Sequence, residues 1–175
     1  MKFFSKQEIR GLGDSIYLER WILLQCPWFS IRLHKFHRSD EDVMHDHPWW
    51  FCSLILKGGY FEETMHESGI CHCGEEMATH SYYSHPGYDA KDMPETRSKW
   101  YGPGRVLFRR ATHVHRVVLD DGANLENFEA THPGTTIPCW TLVVTGPSRR
   151  EWGFYCPNGW RSWKEFFAKA GCSDA

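Results

Sequence analysis

Between its glycines and prolines the chain consists of short runs in which apolar and polar residues alternate, rich in β-branched and aromatic side chains. A period of two is the mark of half-buried strands. The runs at 15–24 (SIYLERWILL), 28–36 (WFSIRLHKF), 49–56, 105–109, 113–119 (HVHRVVL), 139–145 (CWTLVVT) and 151–156 (EWGFYC) are read as strands. Helical signals are confined to the ends. Ser5-Lys-Gln-Glu has capping-box form and predicts a short N-terminal helix. The segment 161–170 (RSWKEFFAKA), with Ser162 as cap and Gly171 as stop, predicts a C-terminal helix within a 157–175 tail. Many short strands separated by frequent turns point to an all-β fold, a sandwich or a closed barrel. The stretch 62–104 has few alternations and many Gly, Pro, Ser and His residues, and is read as a long excursion with room for one hairpin. An excursion of that size in a compact domain is more often functional than idle.

The chain has 175 residues, which suits a single domain spanning 1–175 and long enough to bury a real core. Lys and Arg number 20 against 22 Asp and Glu, a net charge of −2, so no global basic field is available to hold nucleic acid. The Arg109-Arg110 and Arg149-Arg150 pairs are too short to replace one. No apolar run approaches the roughly 20 residues that span a bilayer, and MKFFSKQEIRGLG becomes charged too early for a signal peptide. A cytoplasmic protein is therefore expected. The seven cysteines, at 26, 52, 71, 73, 139, 156 and 172, form an odd set without a regular framework, and are expected to be free thiols. Nine tryptophans suggest an aromatic-lined pocket, although most would serve as core.

Chemistry concentrates in HDHPWWFCSLILKGGY, residues 45 to 60. His45 and His47 are one residue apart, so on an extended strand both side chains leave the same face, as two imidazoles on one metal ion require. With 11 histidines in the chain such pairs arise by chance, and His113/His115 is a second one. Cys71-His72-Cys73, with His66, His80 and His85, invites a zinc reading but matches no standard finger spacing.

His45, His47, Cys52 and Gly59 in the first segment, and Gly104 and His115 in GRVLFRRATHVH, resemble the two motifs of the cupin superfamily. The resemblance covers roughly residues 15 to 146 and implies a double-stranded β-helix, the small jelly-roll barrel, with His45, His47 and His115 as ligands of one metal. Ser39 stands in place of the leading glycine of the first motif, Cys52 in place of its carboxylate ligand, and Arg110 and Thr112 in place of the proline and glycine of the second. A cysteine at that position, after HDH, and His-Arg-Val at 115–117 are similar to cysteine dioxygenase and other thiol dioxygenases, which bind iron through three histidines; Tyr17 and Phe29 fall on aromatic positions of that family. Two departures matter. Val144 stands where that family has a crosslinking tyrosine, with Leu142 in place of its histidine, and Glu19 stands where its substrate-holding arginine belongs, with Arg20 next to it. The segments ERW, PWF, HDHPW, LKGGY, WTLVVTG and EWGFY also resemble small uncharacterised cupin-like proteins of bacteriophages, which would place the protein in the host cytoplasm.

Three neutral imidazoles suit Fe(II), Zn, Ni or Mn and leave positions open for substrate, while the metal keeps its full charge and favours an anionic partner. The resemblance thus implies a mononuclear Fe(II) oxygenase acting on a small anionic molecule. Zn-, Mn- or Ni-dependent hydrolysis or isomerisation of a sugar or nucleotide, and a non-catalytic metal-binding role, stay open beside it. Cys52, Arg20 and Arg116 are the candidate catalytic or substrate-holding residues, with Arg32 a further candidate for the anion. Cys52 can equally be a buried inert thiol. His113 is expected to support His115 rather than to ligate. By family analogy the chain is expected to pair into a homodimer through sheet edges.

Overall fold

A computed structural model describes residues 1–12, 14–65, 96–120, 136–156 and 159–172. Among them are eleven strands and one helix: β1 (Lys2–Ile9), β2 (Leu18–Gln25), β3 (Ser30–Phe36), β4 (Phe51–Lys57), β5 (Tyr60–Met65), β6 (Thr96–Tyr101), β7 (Val106–Arg109), β8 (His115–Leu119), β9 (Cys139–Thr145), β10 (Gly153–Cys156), β11 (Gly159–Ser162) and α1 (Trp163–Ala168). The alternating runs all became strands, shifted by a few residues at their ends. One sheet has six antiparallel strands in the order β1-β2-β3-β9-β4-β7, and a second has three in the order β6-β5-β8. In the first sheet β9 lies between β3 and β4, and β4 beside β7, so that neighbours there are distant in sequence; this is the winding of a jelly roll, and the expected double-stranded β-helix barrel is the fold. His45, outside any long strand, bridges β8 at His115 and β10 at Phe154, and so carries the second sheet over to the β10-β11 hairpin.

Two core clusters hold the ends of this barrel. Ile55, Tyr60, Leu107, Val117, Leu119 and Cys139 join the two sheets. Phe154, Cys156 and Phe166 seat the helix on the hairpin, with the rings of Phe154 and Phe166 stacked at 3.8 Å. The Gly58-Gly59 pair makes the turn between β4 and β5. Gly58 has φ +74°, and a Cβ on Gly59 would meet the Trp100 ring at 2.4 Å, so both positions exclude larger side chains.

The helix is capped as its sequence indicates: Ser162 and Glu165 form a reciprocal capping box, and Gly171, with φ +112°, follows its end. The N-terminal helix does not form. Residues 2–9 instead pair with β2 from Lys2↔Gln25 to Ile9↔Leu18, because the open edge of β2 offers a ladder of backbone hydrogen bonds that a local capping signal cannot match. The excursion begins later and ends earlier than its composition suggests, since β5 and β6 pair from Tyr60↔Tyr101 to Met65↔Thr96. Cys71, His72, Cys73, His66, His80 and His85 lie outside the described residues. No helix among the described residues is long and apolar enough to cross a membrane.

Cys26, Cys52 and Cys139 are free thiols as expected, but Cys156 and Cys172 form a disulfide. Linear spacing could not show this pair, because it is the docking of Phe166 on Phe154 that brings the end of α1 back to β10. Opening the bridge, by reductant or by the Cys156→Ser/Cys172→Ser double substitution, is expected to lower the unfolding free energy by about 3 kcal/mol. Urea midpoints with and without reductant check this, and identical midpoints would contradict it.

Candidate metal centre

The site is assembled by backbone hydrogen bonds before any side chain enters it. His45 N–H donates to the His115 carbonyl at 2.9 Å and His115 N–H to the His45 carbonyl at 3.0 Å, locking the two residues side by side. His47 N–H donates to Ala111 O at 3.1 Å, which fixes the second histidine over the turn that precedes β8. Asp46 between them points the other way. It is fully buried, accepts the Gly153 N–H at 2.8 Å and pairs with Arg150 at 2.8 Å, so the central residue of HDH ties this segment to β10.

The side chains of His45, His47 and His115 then converge, with one ligand atom of each within 4.8 Å of the others. The Nε2 atoms of His47 and His115 are 2.8 Å apart. Two nitrogens bound at right angles to one ion at 2.0–2.1 Å would lie about 2.9 Å apart, so this spacing fits two ligands of one metal. Burial lowers the His45 pKa to about 4, with Asp40 opposing and His115 adding to the effect. Burial lowers His47 well below the ordinary imidazole range, helped by the charges of His45, His115, His113 and Arg20. Both rings are therefore neutral at ordinary pH, as metal ligation requires. Nδ1 of His45 is buried without a hydrogen-bond partner, 3.8 Å from the Asp40 carboxylate.

Glu62, on β5, is the residue that sequence reasoning missed. Its Oε1 lies 2.8 Å from His115 Nδ1 and 3.3 Å from His113 Nε2, and Arg109 grips the carboxylate through both Nε, at 2.9 Å, and Nη2. Burial opposes the ionisation of Glu62, but the hydrogen bonds from Arg109, His113 and His115 overcome it and hold the carboxyl well below its usual range. An ionised Glu62 makes His115 Nδ1 the protonated nitrogen and leaves Nε2 a bare lone pair aimed at His47. Glu62, His113 and His115 also group as possible ligands. A cation there would have to displace the Arg109 guanidinium, whereas the three-histidine set has no such competitor. The donor set thus fits one divalent transition metal held by His45, His47 and His115, with His113 in the supporting place expected for it.

The imidazoles lie in the wall of a cavity of about 360 Å³ between the two sheets, whose aromatic lining includes Trp49, Phe51, Trp152 and Phe154. Arg20 lines it. Tyr17 precedes the strand, so Leu18 and Arg20 alternate inward without a bulge while Glu19 turns out to Lys6 and His37. Tyr17 also lines the cavity and donates its hydroxyl to Asp40. Arg32 and His34 line it from β3.

Two candidates are elsewhere. Phe51 and Ser53 face the cavity, and strict alternation on β4 sends Cys52 to the opposite face, beside Val144 of β9. The chain bends at Pro48 and Trp49, ahead of β4 and not within it, so nothing in the strand turns Cys52 inward. Arg116 is on the outer face of β8, opposite in direction to His115, and is paired with Glu63 at 2.5 Å and Asp42 at 2.7 Å. Phe29 lies outside the cavity lining as well.

No protein-family model matches the chain, and no curated protein matches it. Among solved structures, the polyketide cyclase RemF from Streptomyces resistomycificus is similar over 89% of this chain and 84% of its own, at TM-score 0.50 and 15% identity. An RmlC-like cupin from Shewanella frigidimarina covers 84% of this chain and 86% of its own, at TM-score 0.45 and 14% identity. A double-stranded β-helix protein from Klebsiella pneumoniae covers 78% and 82%, at TM-score 0.42 and 11% identity. At these identities the likeness is one of fold alone.

The buried imidazoles set a pH dependence. His45, with its pKa lowered to about 4, and His47 and His34, lowered in the same direction, accept protons in the unfolded chain that the fold refuses. Their contribution is fully present above the unfolded pKa near 6.5 and is lost as pH falls towards about 4. For His45 alone this is on the order of 3 kcal/mol. Urea midpoints of metal-free protein across that window should fall with pH, and a flat profile would contradict the burial of neutral rings. Glu62→Gln, which keeps all three ligands, is expected to lower metal affinity by about 10–100-fold in a competition titration with a chelator.

Proposed function

We propose that the protein is a metal-dependent enzyme of the three-histidine type, an Fe(II) oxygenase acting on a small anionic molecule. The observation that supports this reading most is the convergence of three imidazoles, with no carboxylate among them, in the wall of an aromatic-lined cavity. Fe(II) held by His45, His47 and His115 would supply Lewis acidity and electron transfer with dioxygen as co-substrate.

The chain's own residues do the remainder. Glu62 holds the His115 ring in one tautomer and orientation, and Arg109 holds Glu62. Arg20, with its Nε donating to His34 Nε2 at 3.2 Å, presents the rest of its guanidinium to the cavity, where it would orient an anionic group. The Tyr17 hydroxyl, fixed by Asp40, is a stationary polar group in the same wall. Trp49, Trp152 and Phe154 exclude water and so strengthen each of these interactions. Without a Cys52–tyrosine crosslink and without an arginine at residue 19, cysteine is not the substrate this cavity is shaped for. The same aromatic walls favour a second reading, a non-redox cyclisation or isomerisation of a planar substrate in a fold that the polyketide cyclase RemF shares.

Metal analysis of tag-free protein should give one divalent metal per chain, lost in His45→Ala and His115→Ala; full retention in both variants would overturn the site. Reconstitution with Fe(II) followed by oxygen uptake across a panel of small anions should show consumption that depends on His45 and His115. Turnover with Zn(II) and no oxygen uptake would favour the second reading.

A further inference from the structure

The cavity wall holds positive charge that the metal centre does not use. Arg20 and Arg32 enter from neighbouring strands; Arg20 is paired across the sheet with His34 and Arg32 with Ile22, which makes them diagonal neighbours on one face. In an antiparallel sheet such neighbours are roughly 7–8 Å apart at Cα, close enough for both guanidiniums to reach one small group. Arg20 Nε donates to His34, and Arg32 Nε donates to Ser30 Oγ at 3.1 Å while its plane lies over Trp49 at 4.6 Å. Neither guanidinium has a carboxylate partner among the described residues. The acidic groups that also line the cavity are engaged: Asp40 accepts from the Tyr17 hydroxyl and the Val117 N–H, and Glu41 from Arg38 and the Leu12 N–H.

Hydroxyls without partners lie along the next strand. Thr141 Oγ1 and Thr145 Oγ1 are buried and make no hydrogen bond, and both residues line the cavity, at 1% and 2% exposure. Thr141 stands opposite His34 and Thr145 opposite Ser30, so three adjacent strands present hydrogen-bond donors to one space. Arg32 is only 6% exposed, and a charge buried to that degree is destabilising unless a counter-charge completes it. Burial, with the charge of Arg20, pushes its guanidinium down to about 10.

We propose that Arg20 and Arg32, with the Thr145 and Thr141 hydroxyls, form an anion subsite beside the imidazoles that takes a doubly charged tetrahedral oxyanion, the phosphoryl group of a small phosphate monoester. A carboxylate would leave one of the two cations uncompensated, whereas a phosphate dianion neutralises both and offers its oxygens to two guanidinium forks. This names the substrate class of the metal-dependent reading above and rests on it: the phosphoryl group is held by the arginines while the organic part faces the imidazoles and the aromatic wall.

The test titrates inorganic phosphate into chelator-treated protein at constant ionic strength, with acetate as control, by calorimetry and thermal shift. Phosphate is expected to bind at one per chain and to raise Tm, with acetate at least tenfold weaker. Arg20→Gln and Arg32→Gln should each weaken phosphate at least tenfold, and Thr145→Val severalfold. Because Arg32 has no counter-charge among the described residues, Arg32→Gln should keep or raise the Tm of ligand-free protein; if that variant does not fold, Thr145→Val carries the comparison. Phosphate binding that is equal in wild type, Arg32→Gln and Thr145→Val, or acetate that matches phosphate, overturns the subsite. His115→Ala separates the two readings: loss of metal with phosphate binding kept supports both, and loss of metal where wild type takes no phosphate overturns the subsite alone. Full retention of metal in both His115→Ala and His45→Ala overturns the metal centre and not the anion site.

Discussion

Everything in the site depends on the two backbone hydrogen bonds that His45 and His115 exchange. They join residues from opposite ends of the barrel's winding, and no side chain could substitute for them, because imidazoles carried on independent loops would not keep a common focus. The bridge is braced from behind. Asp46 accepts from Gly153, where any Cβ would meet the Arg161 carbonyl at 2.1 Å, so only glycine lets the hairpin come this close. Phe154, one residue on, lies with its ring 5.7 Å from that of His45 and stacks on Phe166 of the helix. The C-terminal helix and its disulfide are thus part of the support of His45, in the sense that contacts behind a side chain set the precision of a site.

A second constraint is that part of the sheet is turned inside out. On β3 the buried residues are Ser30, Arg32 and His34, while Ile31 and Leu33 face outward and are only partly covered; on β9 Thr141 and Thr145 are inside, and Leu142 and Val144 outside. An alternation that places polar groups in the interior opposes folding, since each buried unpaired hydroxyl or charge forgoes its hydration. Such a pattern survives where a ligand completes the missing hydrogen bonds. The core proper is displaced towards Ile55, Leu107 and Leu119, which leaves the rest of the barrel free to be a cavity.

How much of this the chain disclosed follows the range of the physics involved. The period of two along 139–145 gave β9 its bounds because alternation is a property of adjacent residues, and Ser162 marked the helix start for the same reason. His45, His47 and His115 were legible through their spacing. Glu62 was not, because a glutamate at the start of a stretch read as an excursion looks like a solvated position until Arg109 and His115 are brought against it by folding. The strand face of Cys52 turned on where one bend falls, and a one-residue displacement of that bend reverses the face. Arg116, beside His115 in sequence, is on the other side of the sheet because successive side chains alternate along a strand. The N-terminal strand misled because its capping signal is local and its partner, β2, is not.

Placing the carboxylate one bond away from the ligands has an electrostatic consequence. A glutamate ligand would cancel one charge of a divalent ion directly. Here the charge of Glu62 is cancelled by Arg109, and the glutamate acts on the site only by fixing the proton on His115 Nδ1. A divalent ion held by neutral imidazoles would keep its full charge towards the cavity, in the company of Arg20 and Arg32. The field in that space therefore favours anions whichever divalent metal is taken, and the attraction reaches further because aromatic walls exclude water. On the proposed reading different residues would set reactivity and selectivity: Glu62, held by Arg109, would orient the His115 ring, and Arg20 and Arg32 on β2 and β3 would select the charge that enters.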